Sequence, residues 1–124
     1  MQPHLPIKPL KGFNAFGEVH KVGRKVHSND CTLIYTIKRS GELSAISYGI
    51  SVPKRNCKKA VIRNRIKRLL RESLRQLALE LEKRQMQEVL IYWRKIPKAA
   101  NLISLKEVLE SLEYTLSRIE KKNL

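Results

Sequence analysis

An α+β fold, a two-layer α/β sandwich with a small mixed sheet and about three helices, is predicted by three observations. Segments with strand-like patterning lie at 31–38, 45–52 and 88–94. A helical apolar stripe runs from about 57 to 84, and another follows Ser104. With a short helix near the start, the order is helix, strand, strand, helix, strand, helix, without an internal repeat. A chain of 124 residues that is 42% hydrophobic suits one domain with a real core. The divisions read as a proline-containing arm over 1–10 and a single domain over 11–124.

Each element has a local cause. Pro3, Pro6 and Pro9 recur every third residue, a spacing that favours an extended, polyproline-like arm. An amphipathic helix over 13–22 places Phe13, Phe16 and Val19 on one side, and Gly23 can stop it. Residues 31–38 are rich in β-branched and aromatic side chains and read as a strand. Arg39-Ser40-Gly41-Glu42 is a turn signal. Over 45–52, Ile46, Tyr48, Ile50 and Val52 alternate with Ser47, Gly49 and Ser51, so one face is apolar. The other is small and polar, open to close approach by a ligand backbone.

Pro53 ends that strand, and the helix over 57–84 buries Ile62, Ile66, Leu69, Leu70, Leu77 and Leu81. The continuous apolar run at 88–94 predicts an interior strand covered on both faces, broken by Pro97. Ser104-Leu105-Lys106-Glu107 fits a capping box, and Val108, Leu109, Leu112, Leu116 and Ile119 continue a core-facing helix.

Charge narrows the function. Lys and Arg total 26 against 11 Asp and Glu, a net charge of +15. Such an excess points to nucleic acid or an anionic membrane surface. The N-terminus lacks a secretory-type apolar run, and nothing approaches the roughly 18 apolar residues of a membrane span. The expectation is therefore a cytoplasmic protein. Cys31 and Cys57 stand apart and read as reduced thiols. Neither they nor His4, His20 and His27 make a zinc spacing.

Between Lys54 and Arg75 there are ten cations and one acid, Glu72. At 100° per residue, Asn64, Lys67, Arg68, Arg71 and Arg75 fall opposite the apolar stripe, with Arg63 and Arg65 at its margins. Like charges at i,i+4 repel by a few tenths of a kcal/mol per pair. A merely solvated face would interleave Glu with Lys, so this face is built for a polyanion. A membrane-surface helix would carry bulky aromatics on its apolar side, which here is needed for the core. Duplex DNA readers normally present a recognition helix from a compact helical domain. Cations along a helix packed on a sheet, beside candidate aromatics, suit single-stranded or structured RNA. The residues themselves lead to an RNA-binding α/β domain, with neither membrane nor DNA as partner.

The segment Lys59-Ala60-Val61-Ile62-Arg63-Asn64-Arg65-Ile66-Lys67-Arg68-Leu69-Leu70-Arg71-Glu72 resembles the RNR signature of the bacterial ribonuclease P protein subunit. The resemblance extends to Ile50-Ser51-Val52-Pro53-Lys54-Arg55, to Leu33-Ile34-Tyr35, and to Phe16-Gly17-Glu18-Val19 with Gly23. It implies a fold like the second domain of ribosomal protein S5, with a left-handed parallel crossover. It also implies an accessory subunit of an endoribonuclease that removes the 5′ leader of precursor tRNA. The catalytic centre is then expected in an RNA subunit that uses Mg2+, held mainly by that RNA and the substrate.

Carried over by position, Arg63, Asn64, Arg65 and Arg68, with Lys54, Arg55 and Lys58, would contact the catalytic RNA. Phe16, His20, Tyr35, Lys67 and Arg71 would line a cleft for the single-stranded leader. Three positions depart from the family pattern: His20 replaces an aromatic, Cys57 with Lys58-Lys59 replaces a glycine region, and Pro53 replaces a small polar residue. No catalytic residue is expected in the chain. Metal-assisted phosphodiester hydrolysis normally needs clustered carboxylates, and Asp30 is the only aspartate. The alternative class is a structural or ribosome-associated RNA-binding protein without a catalytic assembly.

Overall fold

A computed structural model describes residues 5–12 and 14–122, with side chains through Ile119. Pro3, His4 and Phe13 of the expected arm and first helix lie outside them. The chain forms strand β1 (Ile7–Pro9), helix α1 (Ala15–Val22), and strands β2 (Arg24–His27), β3 (Cys31–Ile37) and β4 (Ile46–Ser51). Helices α2 (Ala60–Gln76) and α3 (Ala78–Lys83), strand β5 (Met86–Trp93), a short 3-10 turn (Ala100–Leu102) and helix α4 (Leu105–Lys122) follow.

The five strands make one mixed sheet in the order β1-β4-β5-β3-β2. β4 pairs in parallel with both β1 and β5, whereas β3 is antiparallel to β5 and to β2. The long apolar run is the central strand, β5. The arm's Ile7–Pro9 is an edge strand, in register with Ile46, Ser47 and Tyr48. An edge is where a proline is tolerated, because its missing N–H need not serve a ladder.

Alternation sorts side chains between two faces. Leu33 and Tyr35 of β3, Ile46 of β4, and Val89, Ile91 and Trp93 of β5 meet Ile62, Ile66, Leu70 and Leu74 of α2. Val108, Leu112 and Leu116 of α4 complete this main core. The opposite face carries a smaller cluster, in which Val19 of α1 packs on Ile34 and Leu90. The sandwich of sheet against α2–α4 is thus as the patterning predicts, with α1 crossing the second face.

Helix ends show how local chemistry sets boundaries. The basic helix starts at Ala60 rather than near 57, because residues 53–57 fold into turns: the N–H groups of Asn56 and Cys57 both donate to the Pro53 carbonyl, at 3.1 Å each. At Leu77 the backbone leaves helical geometry (φ −92°, ψ 5°), which divides the expected 57–84 helix into α2 and α3. Ser73 Oγ donates to the Leu69 carbonyl at 2.8 Å just before that break, a back-bond that commonly bends helices. Ser104 caps α4 by accepting from the Glu107 N–H at 3.3 Å. The carboxylate of Glu107 does not complete a reciprocal box; it pairs with Lys95 at 3.2 Å.

Candidate nucleic-acid interface

The interface begins with the loop that follows β4. Cys57 is buried in the main core and anchors that loop from below. Lys54, Arg55 and Lys58 are consequently held outward and exposed. One guanidinium fastens the loop to the helix: Arg63 Nη1 donates to the carbonyls of Cys57 (2.7 Å) and Lys58 (3.0 Å). Arg65 does the same on the other margin of α2. Its Nε and Nη2 both donate to the Ile103 carbonyl, at 3.2 and 2.9 Å, tying α2 to the segment before α4.

The four block residues therefore divide by task. Arg63 and Arg65 spend hydrogen-bonding capacity within the protein, while Asn64 and Arg68 project from the exposed side of α2. The start of α2 reinforces the positive potential. Lys59 at the N-cap offers no side-chain cap, and the first turn carries no acid. The Ile62 and Arg63 N–H groups donate to the Lys59 carbonyl, and the positive end of the helix dipole stands beside the loop cations without a side-chain cap, an arrangement suited to phosphate. Lys54, Arg55, Lys58, Lys67, Arg68 and Arg71 have no ion-pair partner among the described residues. Arg75 alone on this helix pairs with Glu72, at 3.5 Å on the surface.

The five residues expected to share a leader cleft fall into three places. Phe16 and His20 lie on α1; Phe16 is 42% exposed and stands over Gly49 of β4. Lys67 and Arg71 are partly exposed on the α2 margin away from Arg65. Beyond them, Arg75 and Ala78 share a hollow with Leu5 and Ile7 of the β1 edge. The two groups therefore approach the β1–β4 side of the sheet from opposite faces.

Tyr35 is a correction. It is 4% exposed and packs in the main core with Leu33, so it does not share a surface with Phe16. Strand alternation sends it to the face covered by α2 and α4. The face beside α1 instead carries Tyr92, which the continuous apolar run around it conceals in the sequence. Its period-two position between the core residues Ile91 and Trp93 is the signal that finds it. The small polar stripe of Ser47, Gly49 and Ser51 does lie on this face, but Phe16 already occupies the space over Gly49.

Among the described residues, no three His, Cys, Asp or Glu side chains gather as metal ligands. Burial pushes the Cys31 thiol up from its ordinary value of 9.0, so it is not an activated nucleophile. Asp30 is held by Ser111, whose hydroxyl donates to Oδ2 at 2.5 Å. No helix among the described residues is long and apolar enough to cross a membrane.

Residues 7–120 match a family model described as Ribonuclease P. The ribonuclease P protein component of Microcystis aeruginosa is 37% identical over 76 residues, which cover 60% of this chain and 63% of that protein. That of Nitrosococcus oceani is 39% identical over 61 residues, 49% of each chain. The chain thus aligns with about half to somewhat under two thirds of these curated relatives. The fold is similar to the RNase P protein of Staphylococcus aureus (TM-score 0.62, 19% identity, 90% of this chain and 94% of that one). It is equally similar to the RNase P protein from Thermotoga maritima (TM-score 0.62, 22% identity, 83% and 89% covered).

Proposed function

The chain belongs to the ribonuclease P protein family, and we propose that it serves as the protein subunit of a ribonuclease P holoenzyme that removes 5′ leaders from precursor tRNA. The observation that carries this reading is the acid-free start of α2, which has no side-chain cap and stands beside Lys54, Arg55 and Lys58, cations with no ion-pair partner among the described residues. Such a surface neutralises phosphates, and its arginines suit planar recognition of phosphate oxygens.

In this reading Asn64 and Arg68, with Lys54, Arg55 and Lys58, contact the catalytic RNA. Arg63 and Arg65 hold the loop and the α2–α4 junction in the shape that RNA meets. The leader runs along the β1–β4 side, with Phe16 and His20 offering rings and Lys67 and Arg71 offering charge. The described residues do not fit a resident Mg2+, because no carboxylate cluster is present to hold it. The ion belongs to the RNA and substrate, and the chemistry with it. The protein lowers the repulsion between two polyanions and positions the leader.

Reconstitution tests this. Protein with Mg2+ alone should leave precursor tRNA intact, while protein with its cognate RNA subunit should cleave it at the 5′ end. Cleavage by the protein alone would overturn the accessory role; failure to bind or assist that RNA would favour a structural RNA-binding protein. Within the active complex, Lys67→Ala with Arg71→Ala should weaken leader-bearing substrate far more than mature tRNA. Equal losses would remove these two residues from leader binding.

A further inference from the structure

The turn between β2 and β3 meets α4 around a hollow of about 350 Å³. Ser28, Asn29 and Asp30 line one side, and Tyr114 and Arg118 of α4 line the other. That volume lies near the lower end of the roughly 300–1,000 Å³ typical of small-ligand sites, a size that suits one nucleotide. The turn is held from two directions. From α4, the Ser111 hydroxyl donates to Asp30 Oδ2 at 2.5 Å, and the hydroxyl of the buried Thr115 donates to Ser28 Oγ at 2.9 Å. From the end of β5, the Arg94 N–H donates to the Asp30 carbonyl at 2.8 Å, and its guanidinium donates to the carbonyls of Ser28 and Cys31. A ligand would therefore meet a turn that is already ordered.

The groups around the hollow retain binding capacity. Asp30 Oδ1 has no hydrogen-bond partner among the described residues. Tyr114 is 53% exposed, a large apolar surface for a turn of helix to leave in water. The Arg118 guanidinium stands 6.0 Å from the centre of that ring, and its Nη1 donates to the Tyr114 hydroxyl at 3.4 Å. Arg118 has no carboxylate partner among the described residues. A ring of this kind stacks a base, and a guanidinium suits phosphate oxygens. The carboxylate selects the base, because when ionised it only accepts hydrogen bonds. Guanine alone among the four RNA bases sets two donors side by side on its pairing edge, N1–H and the N2 amino group. Adenine and cytosine place an acceptor beside their amino group, and uracil flanks its one N–H with carbonyls, so each meets a carboxylate with a repelling lone pair.

Position separates this hollow from the surfaces described above. Ser51, Tyr92, Thr32 and His27 are in register across β4, β5, β3 and β2. The hollow thus lies at the same end of the sheet as the loop over 54–58 but at the opposite edge, about 14 Å away across three strand spacings. Its walls come from α4, on the main-core face, whereas Phe16 and His20 belong to α1 on the other.

We propose that this hollow is a guanosine-phosphate site, with the base on Tyr114, its N1–H and N2 amino group on Asp30, and the phosphate on Arg118. The guanosine is an unpaired nucleotide of an RNA partner or a free nucleotide, and the recognising chemistry is the same. The RNA-borne form rests on the ribonuclease P reading; the free form stands without it.

Calorimetric titration of the full chain with nucleoside monophosphates tests the free form. GMP should bind at least about tenfold tighter than AMP, CMP or UMP, as expected of a bidentate base contact. Asp30→Asn keeps an acceptor for Ser111 and replaces one oxygen with a donor. It should lose the preference for GMP and gain one for XMP, which has a carbonyl where guanine has its N2 amino group; a misfolded variant would gain nothing. Tyr114→Ala should lose about tenfold for every base, and Tyr114→Phe should retain binding. Kethoxal, which modifies N1 and N2 of unpaired guanines, tests the RNA-borne form in the holoenzyme reconstituted with its RNA subunit and precursor tRNA. One guanine should be protected by the wild type and reactive with Asp30→Asn and with Tyr114→Ala.

GMP-selective binding in the titration supports the site and assigns the free nucleotide. Protection of one guanine without such binding supports it and assigns the RNA-borne one. Binding that ignores the base or the Asp30→Asn change overturns the proposal, as does the absence of both binding and Asp30-dependent protection. Leader removal by the same wild-type holoenzyme is followed in parallel. Leader removal beside a failed site leaves the functional reading intact, and its absence overturns that reading without altering the titration.

Discussion

At the scale of residues, the arginines of the basic block differ more than their shared charge suggests. Arg65 gives two donors to one carbonyl at Ile103, and a charge-assisted contact of this kind contributes about 1–2 kcal/mol when partly exposed. Arg65→Ala should therefore lower the thermal midpoint by several degrees in the RNA-free protein, with Arg65→Lys losing the fork and recovering little. Arg68→Ala should weaken RNA binding and leave the midpoint nearly unchanged. Gly49 is equally specific: an added Cβ would clash with the tip of the Phe16 ring and lie 2.7 Å from a Leu90 methyl. Gly49→Ala should cost about 1–3 kcal/mol as α1 shifts off the sheet, readable by denaturant unfolding.

Cys31 gives a pH signature. Burial raises its thiol, opposed in part by hydrogen bonds with Thr115 and Ser28. The native state thus favours the neutral form, a contribution complete below pH 9.0 and lost as pH climbs through the raised value. The stability difference between wild type and Cys31→Ala should shrink above pH 9.0 and be flat at neutral pH.

At the scale of elements, legibility followed periodicity. The strand at 45–52 and the helices around α2 and α4 have strong alternation or stripes, and they form within a few residues of expectation. The two edge strands carry almost none. β2 buries only Val26, and its flanking Arg24, Lys25 and His27 are exposed, so Arg-Lys-Val-His gives no alternation to read. β1 is three residues ending in proline, and only its partner β4 makes it a strand. Charge and proline on edges also discourage unwanted pairing with other chains.

The cationic face of α2 is legible in the sequence because it is contiguous on one helix. Tyr35 goes to the core and not to the expected cleft because a tyrosine in an apolar strand can go to either face, and only the register and covering helices decide. The α4 start allows a separate check. Ser104 supplies a cap, so Ser104→Ala should cost about 1 kcal/mol. Glu107→Gln should cost less, since its carboxylate serves a surface pair with Lys95 that is about half exposed on each side.

At the scale of the whole molecule, net charge and function share one consequence. A domain at +15 repels itself, and the ion pairs seen among its described residues are few and, apart from the partly buried Arg84, at the surface. Added salt should raise the thermal midpoint of the free protein and weaken its RNA complex, with log affinity falling by somewhat under one unit per log unit of salt for each phosphate neutralised. Titration of binding against salt gives that number directly. Neutralising Lys54, Arg55 and Lys58 together should flatten the slope by about two to three units. A slope unaffected by those changes would place the RNA elsewhere.

The central strand also governs when this surface comes into being during synthesis. β5 lies between β4 and β3, and Trp93 pairs with Cys31, half the chain away. Until β5 emerges and closes those pairings, the floor beneath the apolar side of α2 is incomplete, although its charged side is already made. Non-local pairing of this kind closes slowly, because chain entropy is lost before contacts reward it. A nascent chain can therefore meet a polyanion through a loose cationic helix before the sheet beneath it is closed. Polyanion added during refolding should trap such chains, and polyanion added afterwards should not.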